Sequence, residues 1–190
     1  MRMTAMEKHF VNGQRNARAV AERAIELLAY VQTKPGWRYL DVGCGIGSAA
    51  REIAKKTSLD VTAIDFDPKQ ISEAKKGQAL PNLRYGVMDA TKLSFRDAEF
   101  EIVASSMATH HIPNWRKAFG EMVRVLQIGG FFIYTELVFP SWLGKLEGFF
   151  HLAMFPSKTN IVEVAARHQL ATIYEEREGE RINVIWRKDM

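Results

Sequence analysis

Apolar residues recur along this chain in two alternating rhythms. From residue 17 to 31 (ARAVAERAIELLAYV) they fall three and four apart. Val20, Ala24, Leu27, Leu28 and Val31 then share one face and Arg18, Glu22, Arg23 and Glu26 lie elsewhere, which predicts an amphipathic helix. Pro35-Gly36 ends it. Trp37 to Val42 is a short apolar run that predicts a buried strand, and a glycine turn follows. Ser48 to Thr57 returns to the helical period. Leu59 to Ile64 is a second strand, Pro68 to Gln78 a helix with proline in its first turn, and Leu83 to Val87 a third strand. Phe100 to Ala104 is a fourth, Trp115 to Val125 a helix, and Phe131 to Thr135, after Gly129-Gly130, a fifth.

Strands separated by helices predict right-handed crossovers and a mainly parallel sheet, an α/β architecture. The runs are apolar on both faces, as strands covered on both sides must be. After Glu136 the rhythm changes. Residues 137 to 156 (LVFPSWLGKLEGFFHLAMFP) are rich in aromatics, with only Lys145 and Glu147 charged. Asn160 to Leu170 is another amphipathic helix. Ala171 to Glu176 and Arg181 to Arg187 predict two last strands joined at Gly179, so EEREGER reads as a solvated hairpin tip.

Composition narrows the class. At 190 residues and 47% hydrophobic, the chain is the size of one ordinary domain and is not a disordered polymer. The expected organisation is a single domain over 1–190. Residues 1–34 form an N-terminal helical cap, and 137–157 an insertion that lines an acceptor site. A net charge of +4 permits an anionic partner without demanding one. A lone cysteine, Cys44, excludes an intrachain disulfide and a cysteine-built zinc site, and makes a reducing cytoplasm the default. No apolar run reaches membrane-spanning length and no signal-peptide core is present at the start.

The most informative stretch is Asp41-Val-Gly43-Cys44-Gly45-Ile46-Gly47, between a strand and a helix. Glycines there let a ligand approach the backbone at a helix N-terminus with unpaired N–H groups. A dinucleotide fingerprint, G-x-G-x-x-G, needs glycine at 48, where Ser48 stands. The acid two residues ahead of the loop repels a pyrophosphate but pairs with an ammonium group. A nucleoside with a cationic tail fits, and S-adenosylmethionine is one. Asp65, at the end of the second strand, can accept both ribose hydroxyls.

With these motifs in place, the chain resembles the class I S-adenosylmethionine-dependent methyltransferases, of the small-molecule, quinone-biosynthesis type. YLDVGCGIGSAA looks like the first motif of that family, VTAIDFDP the second, VMDATKLSF the third, FEIVASSMATHHIPN the fourth and RVLQIGGFFIYTE the fifth. The resemblance covers about Trp37 to Glu136. It implies a Rossmann-like three-layer sandwich whose mainly parallel sheet ends in an antiparallel C-terminal hairpin strand, and S-adenosyl-L-methionine as cofactor. It places Asp41, Gly43, Cys44, Gly45 and Gly47 at the methionine end, Asp65 at the ribose, and Phe66, Met88 and Asp89 at the adenine. Ser105 and Ser106 join the cofactor set. Gln127-Ile128 replaces the usual Lys-Pro before the glycine pair and alters only the turn.

An activated donor leaves the protein to orient the acceptor and exclude water. A general base is needed only when the acceptor is protonated. His110 and His111, beside Ser105 and Ser106, are the candidates. Ser105-Ser106-Met107-Ala108 lacks the acid-or-Asn, proline-proline pattern of base-amine methylases. Methylation at a base C5 needs a cysteine nucleophile, and Cys44 sits in the cofactor loop, so nucleic acid is disfavoured. A small apolar or aromatic acceptor is the leading expectation. Segment 137–156 has three readings: a pocket wall, a packing or homodimer surface, or a peripheral membrane contact. The rival functions are a non-catalytic S-adenosylmethionine-binding regulatory module, a methyltransferase of protein or nucleic acid, and a nicotinamide-dependent reductase.

Overall fold

A computed structural model gives the structure of the chain and describes residues 14–138 and 156–189, with side chains from residue 18 onward. Its elements run in chain order as α1 (Gln14–Leu28), β1 (Arg38–Val42), α2 (Ser48–Lys56), β2 (Asp60–Asp65), α3 (Pro68–Lys75), β3 (Leu83–Val87) and β4 (Phe100–Ser106). A short 3₁₀ turn (Thr109–His111), α4 (Trp115–Val125), β5 (Leu126–Leu137), α5 (Lys158–Arg167), β6 (Leu170–Glu178) and β7 (Arg181–Lys188) follow. All seven strands share one sheet in the order β3-β2-β1-β4-β5-β7-β6. The first five are parallel, and β7 inserts antiparallel between β5 and β6. This is the three-layer arrangement expected from the alternating rhythms.

Two cores sandwich the sheet. On one face Leu27 and Leu28 of α1 and Ala50 and Ile53 of α2 meet Tyr39, Val61, Ile102, Ile133 and Ile185. On the other, Phe119 and Met122 of α4 and Ile161 and Val164 of α5 meet Leu40, Val103, Phe132, Tyr134 and Trp186. The inner strands β1, β2, β4, β5 and β7 feed both clusters, the physical reason their sequences read as largely apolar. Burial of this kind is the main stabilising term, at roughly 25 cal/mol per Å² of apolar surface.

Element ends follow local chemistry. Asp67 caps α3, its Oδ1 accepting the Lys69 N–H at 2.9 Å, with Pro68 in the first turn. The Ser157 hydroxyl oxygen caps α5 by accepting from Asn160 N at 3.2 Å. That helix stops at Arg167, because Gln169 turns left-handed (φ 56°) and Leu170 already belongs to β6. β5 differs most from expectation. It starts at Leu126, ahead of Gly129-Gly130, so the glycine pair forms a bulge inside a 12-residue strand instead of a turn before it. A side chain at Gly130 would press against the Glu101 carbonyl at 2.8 Å, and Gly129 takes φ 76°. The hairpin tip at Gly179 (φ 61°) is present, with strand pairing reaching Glu178 and Arg181. Most of segment 137–156, from 139 to 155, lies outside the described residues.

Candidate functional site

The carboxyl ends of the parallel strands open onto a cavity of about 620 Å³. It lies where β1 and β4 adjoin and the chain order reverses, the place where open α/β sheets bind ligands. The first wall is the loop between β1 and α2. Gly43 and Cys44 both donate their N–H to the Ile64 carbonyl, at 2.8 and 2.9 Å, and Gly47 N donates to Cys44 O at 2.9 Å. This tight path needs φ values of 80°, 54° and 73° at Gly43, Gly45 and Gly47. A Cβ on Gly43 would sit 2.4 Å from that of Ala108, whereas one on Gly45 meets nothing within 4 Å. The loop thus presents bare backbone to the cavity. Gly47 stands behind it against the Tyr85 ring and does not line the space.

Asp41 leads into this loop. Its carboxyl is only 5% exposed, and among the described residues its Oδ2 is buried without a hydrogen-bond partner. Burial, helped by the nearby charge of Asp65, pushes its pKa up to about 7. A buried acid held this way is suited to an incoming ammonium group. Asp65 plays a second part that the sequence reading did not include. Its Oδ2 accepts Gly45 N at 2.9 Å and its Oδ1 accepts Asp67 N at 2.8 Å, so it shapes the glycine loop. A carboxylate has about four lone-pair sites, leaving capacity for ribose hydroxyls.

Phe66 lines the cavity with 53% of its surface exposed, an apolar ring facing open space. Met88 and Asp89 line the same end. The Met88 sulfur accepts Ser94 N at 3.4 Å, and Asp89 Oδ1 accepts both the Thr91 N–H and hydroxyl at 2.8 Å. Asp89 therefore combines a turn-capping role with a place on the wall. Ser106 lines the cavity, but Ser105 does not: strand alternation turns its buried hydroxyl to the opposite face of β4. Cys44 lines the cavity as well, and burial drives its thiol pKa well above the ordinary range. It is no nucleophile there.

The far wall carries the histidines. Past β4, Met107 (φ 53°) donates its N–H to Thr135 O at 2.8 Å and swings Thr109–His111 over the cavity. His110 and His111 both line it, their rings 4.0 Å apart. His110 Nδ1 lies 2.5 Å from Oε1 of Glu136, a carboxylate with no solvent exposure. Glu136 also accepts the N–H groups of Thr109 (2.9 Å), His110 (3.2 Å) and Leu137 (2.9 Å), and the Thr109 hydroxyl. So many donors make a buried carboxylate tolerable. Glu136 closes the fifth sequence motif, and its role emerges only in the fold. Its signal was there: like Asp41 and Asp65, it is an acid at the end of an apolar strand.

A methyltransferase-domain family model matches residues 40–134, which span the loop, the cavity wall and β5 to Tyr134. This chain is a class I S-adenosylmethionine-dependent methyltransferase domain. It is 35% identical over 134 residues to a sterol 24-C-methyltransferase from Gibberella zeae, covering 68% of this chain and 35% of that protein. It is 36% identical over 104 residues to a 2-methyl-6-phytyl-1,4-hydroquinone methyltransferase from Synechocystis, covering 54% of this chain and 32% of that one. The chain thus spans about a third of the length of these curated relatives. In fold it matches the PH0226 protein of Pyrococcus horikoshii, with TM-score 0.76 at 21% identity over 93% of both chains. The Haloferax volcanii complex of the Trm112 methyltransferase activator with a methyltransferase also matches, at TM-score 0.76 and 16% identity, covering 97% of this chain and 98% of that one. The cofactor of the domain is S-adenosylmethionine. The unpartnered Asp41 oxygen, the exposed Phe66 ring and the bare Gly45 backbone fit it. Among the described residues, no helix is long and apolar enough to cross a membrane.

Proposed function

We propose that the protein transfers the methyl group of S-adenosylmethionine to a small, apolar, ring-bearing acceptor, with His110 as the proton acceptor. One observation carries this reading: a single cavity joins the carboxylate-lined cofactor end to an apolar end bearing the His110–Glu136 pair. Val20 of α1 together with Met107, Ile112, Pro113 and Leu137 supplies the apolar surface. The curated relatives, named for a sterol and a hydroquinone, support an acceptor of this kind.

S-adenosylmethionine brings an electrophilic methyl group, so this chain needs to hold, orient and dry the partners. Asp41 pairs with the amino group at the methionine end, Asp65 accepts from the ribose, and Phe66, Met88 and Asp89 flank the adenine. Glu136 accepts the Nδ1–H of His110. That bond sets the tautomer in which Nε2 takes the acceptor's proton, and the carboxylate then stabilises the imidazolium. His111, its ring tilted 47° against that of His110, helps to fix the plane of the ring. A non-catalytic cofactor-binding module would leave the buried histidine–glutamate pair without a task.

The test is methyl transfer from labelled S-adenosylmethionine to a panel of hydroquinones, phenols and sterols. Turnover on a ring-bearing member is expected, together with its loss in His110→Ala. Cofactor binding with no transfer to any member would favour the regulatory module.

A further inference from the structure

The acceptor end carries one charged residue that methyl transfer leaves without a role. Arg181 opens β7, directly opposite Leu137, the last residue of β5. Both line the cavity, as does Thr135 two residues earlier. The register therefore sets Arg181 just beyond the carboxyl end of β5, past the Thr135–Asn183 pair. Charge divides the cavity along the strand order. The acids Asp41, Asp65, Asp67 and Asp89 all stand on the β1–β2–β3 side, and Arg181 stands on the β5–β7 side.

A second arginine on this wall shows the difference. Arg23 of α1 is ion-paired with Glu26 (3.0 Å) and with Glu176, and is neutralised by the fold itself. Arg181 makes no side-chain hydrogen bond or ion pair among the described residues, and its Nε is buried. Glu178, its register partner on β6, is exposed and does not pair with it. A partly desolvated guanidinium with no ion-pair partner among the described residues is held at a cost. The cost is relieved when an anion arrives, and the forked donors of arginine match a carboxylate or a phosphate.

We propose that Arg181 binds an anionic group, a carboxylate or a phosphate, borne by the apolar acceptor. This rests on the reading of the cavity's apolar end as the acceptor site. The acceptor is then an apolar body that also bears a charged group, its reacting atom at His110 and its anion at Arg181.

Calorimetric titration of the full chain, loaded with S-adenosylhomocysteine, tests this with three probes of one ring: 2-naphthoate, 2-naphthyl phosphate and neutral 2-naphthamide. At least one anion should bind about tenfold or more tighter than the amide, as a charge-assisted hydrogen bond implies. The tighter anion identifies the group. Arg181→Gln should abolish that preference, leave amide binding within about twofold and keep the affinity for S-adenosylhomocysteine, and Arg181→Lys should restore part of the preference. Equal binding of anions and amide by the unaltered chain, binding of none of the three, or an undiminished preference in Arg181→Gln would each overturn the proposal. The comparison within the unaltered chain holds even if a variant folds poorly. Failure to load S-adenosylhomocysteine would instead strike at the methyltransferase reading itself.

Discussion

Three acids at strand ends organise the site, and each answers to a different donor. Asp41 has a buried oxygen without a described partner and a pKa pushed up to about 7. Its folded value lies above the ordinary 3.8. In the ligand-free protein the stability it contributes is complete below about pH 4 and is lost as pH rises through about 7. An ammonium ligand binds the ionised form, so affinity for S-adenosylhomocysteine should climb as pH rises through about 7 and then level off. Calorimetry across that range should show the climb in the native chain and a flat, weaker profile in Asp41→Asn. Asp65→Ala should weaken the same affinity by about 1–3 kcal/mol, because it removes the ribose acceptor and frees Gly45 N from its anchor. Unchanged binding in titration would count against both roles. Glu136 acts through His110. His110→Ala should lower kcat while leaving cofactor affinity nearly intact. Glu136→Gln should lower kcat while leaving cofactor affinity nearly intact, and Glu136→Asp should restore part of the rate.

At the scale of elements, much of the architecture was legible in the chain. β3 and α4 have the limits that periodicity predicts, because both are bounded by strong local signals, and α4 is also buried on a well-defined face. β5 was not, because Gly129-Gly130 reads as punctuation, and only the neighbouring β4 ladder can turn it into a bulge. The place of β7 between β5 and β6 is equally invisible locally, since strand order depends on contacts far apart in sequence. The cofactor wall was readable because glycines and acids at strand ends have few other uses. Ser105 does not line the cavity: a one-residue step along β4 decides the face, and Ser106 takes the inward position. Glu136 and Arg181 escaped because one ends a motif and the other sits in a charged hairpin that looks merely solvated. The element most sensitive to substitution is α4. Phe119 is fully buried against Phe132 (5.1 Å between ring centroids), Tyr134 (5.8 Å) and Trp186 (5.8 Å). Phe119→Ala should cost about 3–5 kcal/mol in denaturant unfolding while the loop geometry survives. Gly43→Ala places a methyl group 2.4 Å from Ala108 Cβ at φ 80°, and should reduce cofactor affinity more than global stability.

For the molecule as a whole, the sheet order sets the direction of the chemistry. Strands β3, β2 and β1 bring acids to one end of the cavity, β4 leads to the serine and the histidine turn, with Glu136 of β5 buried behind His110, and β7 brings Arg181 to the wall beside Leu137. On the proposed reading, the acid-lined end takes the nucleoside with its cationic tail and the acceptor takes the remainder of the cavity. Titration of purified protein with S-adenosylhomocysteine, and separately with NADH, near pH 8 tests this most directly. One molecule of S-adenosylhomocysteine should bind per chain, more weakly in both Asp41→Asn and Asp65→Ala, and NADH should give no heat. Saturable binding of NADH with none of S-adenosylhomocysteine would contradict the account at its root.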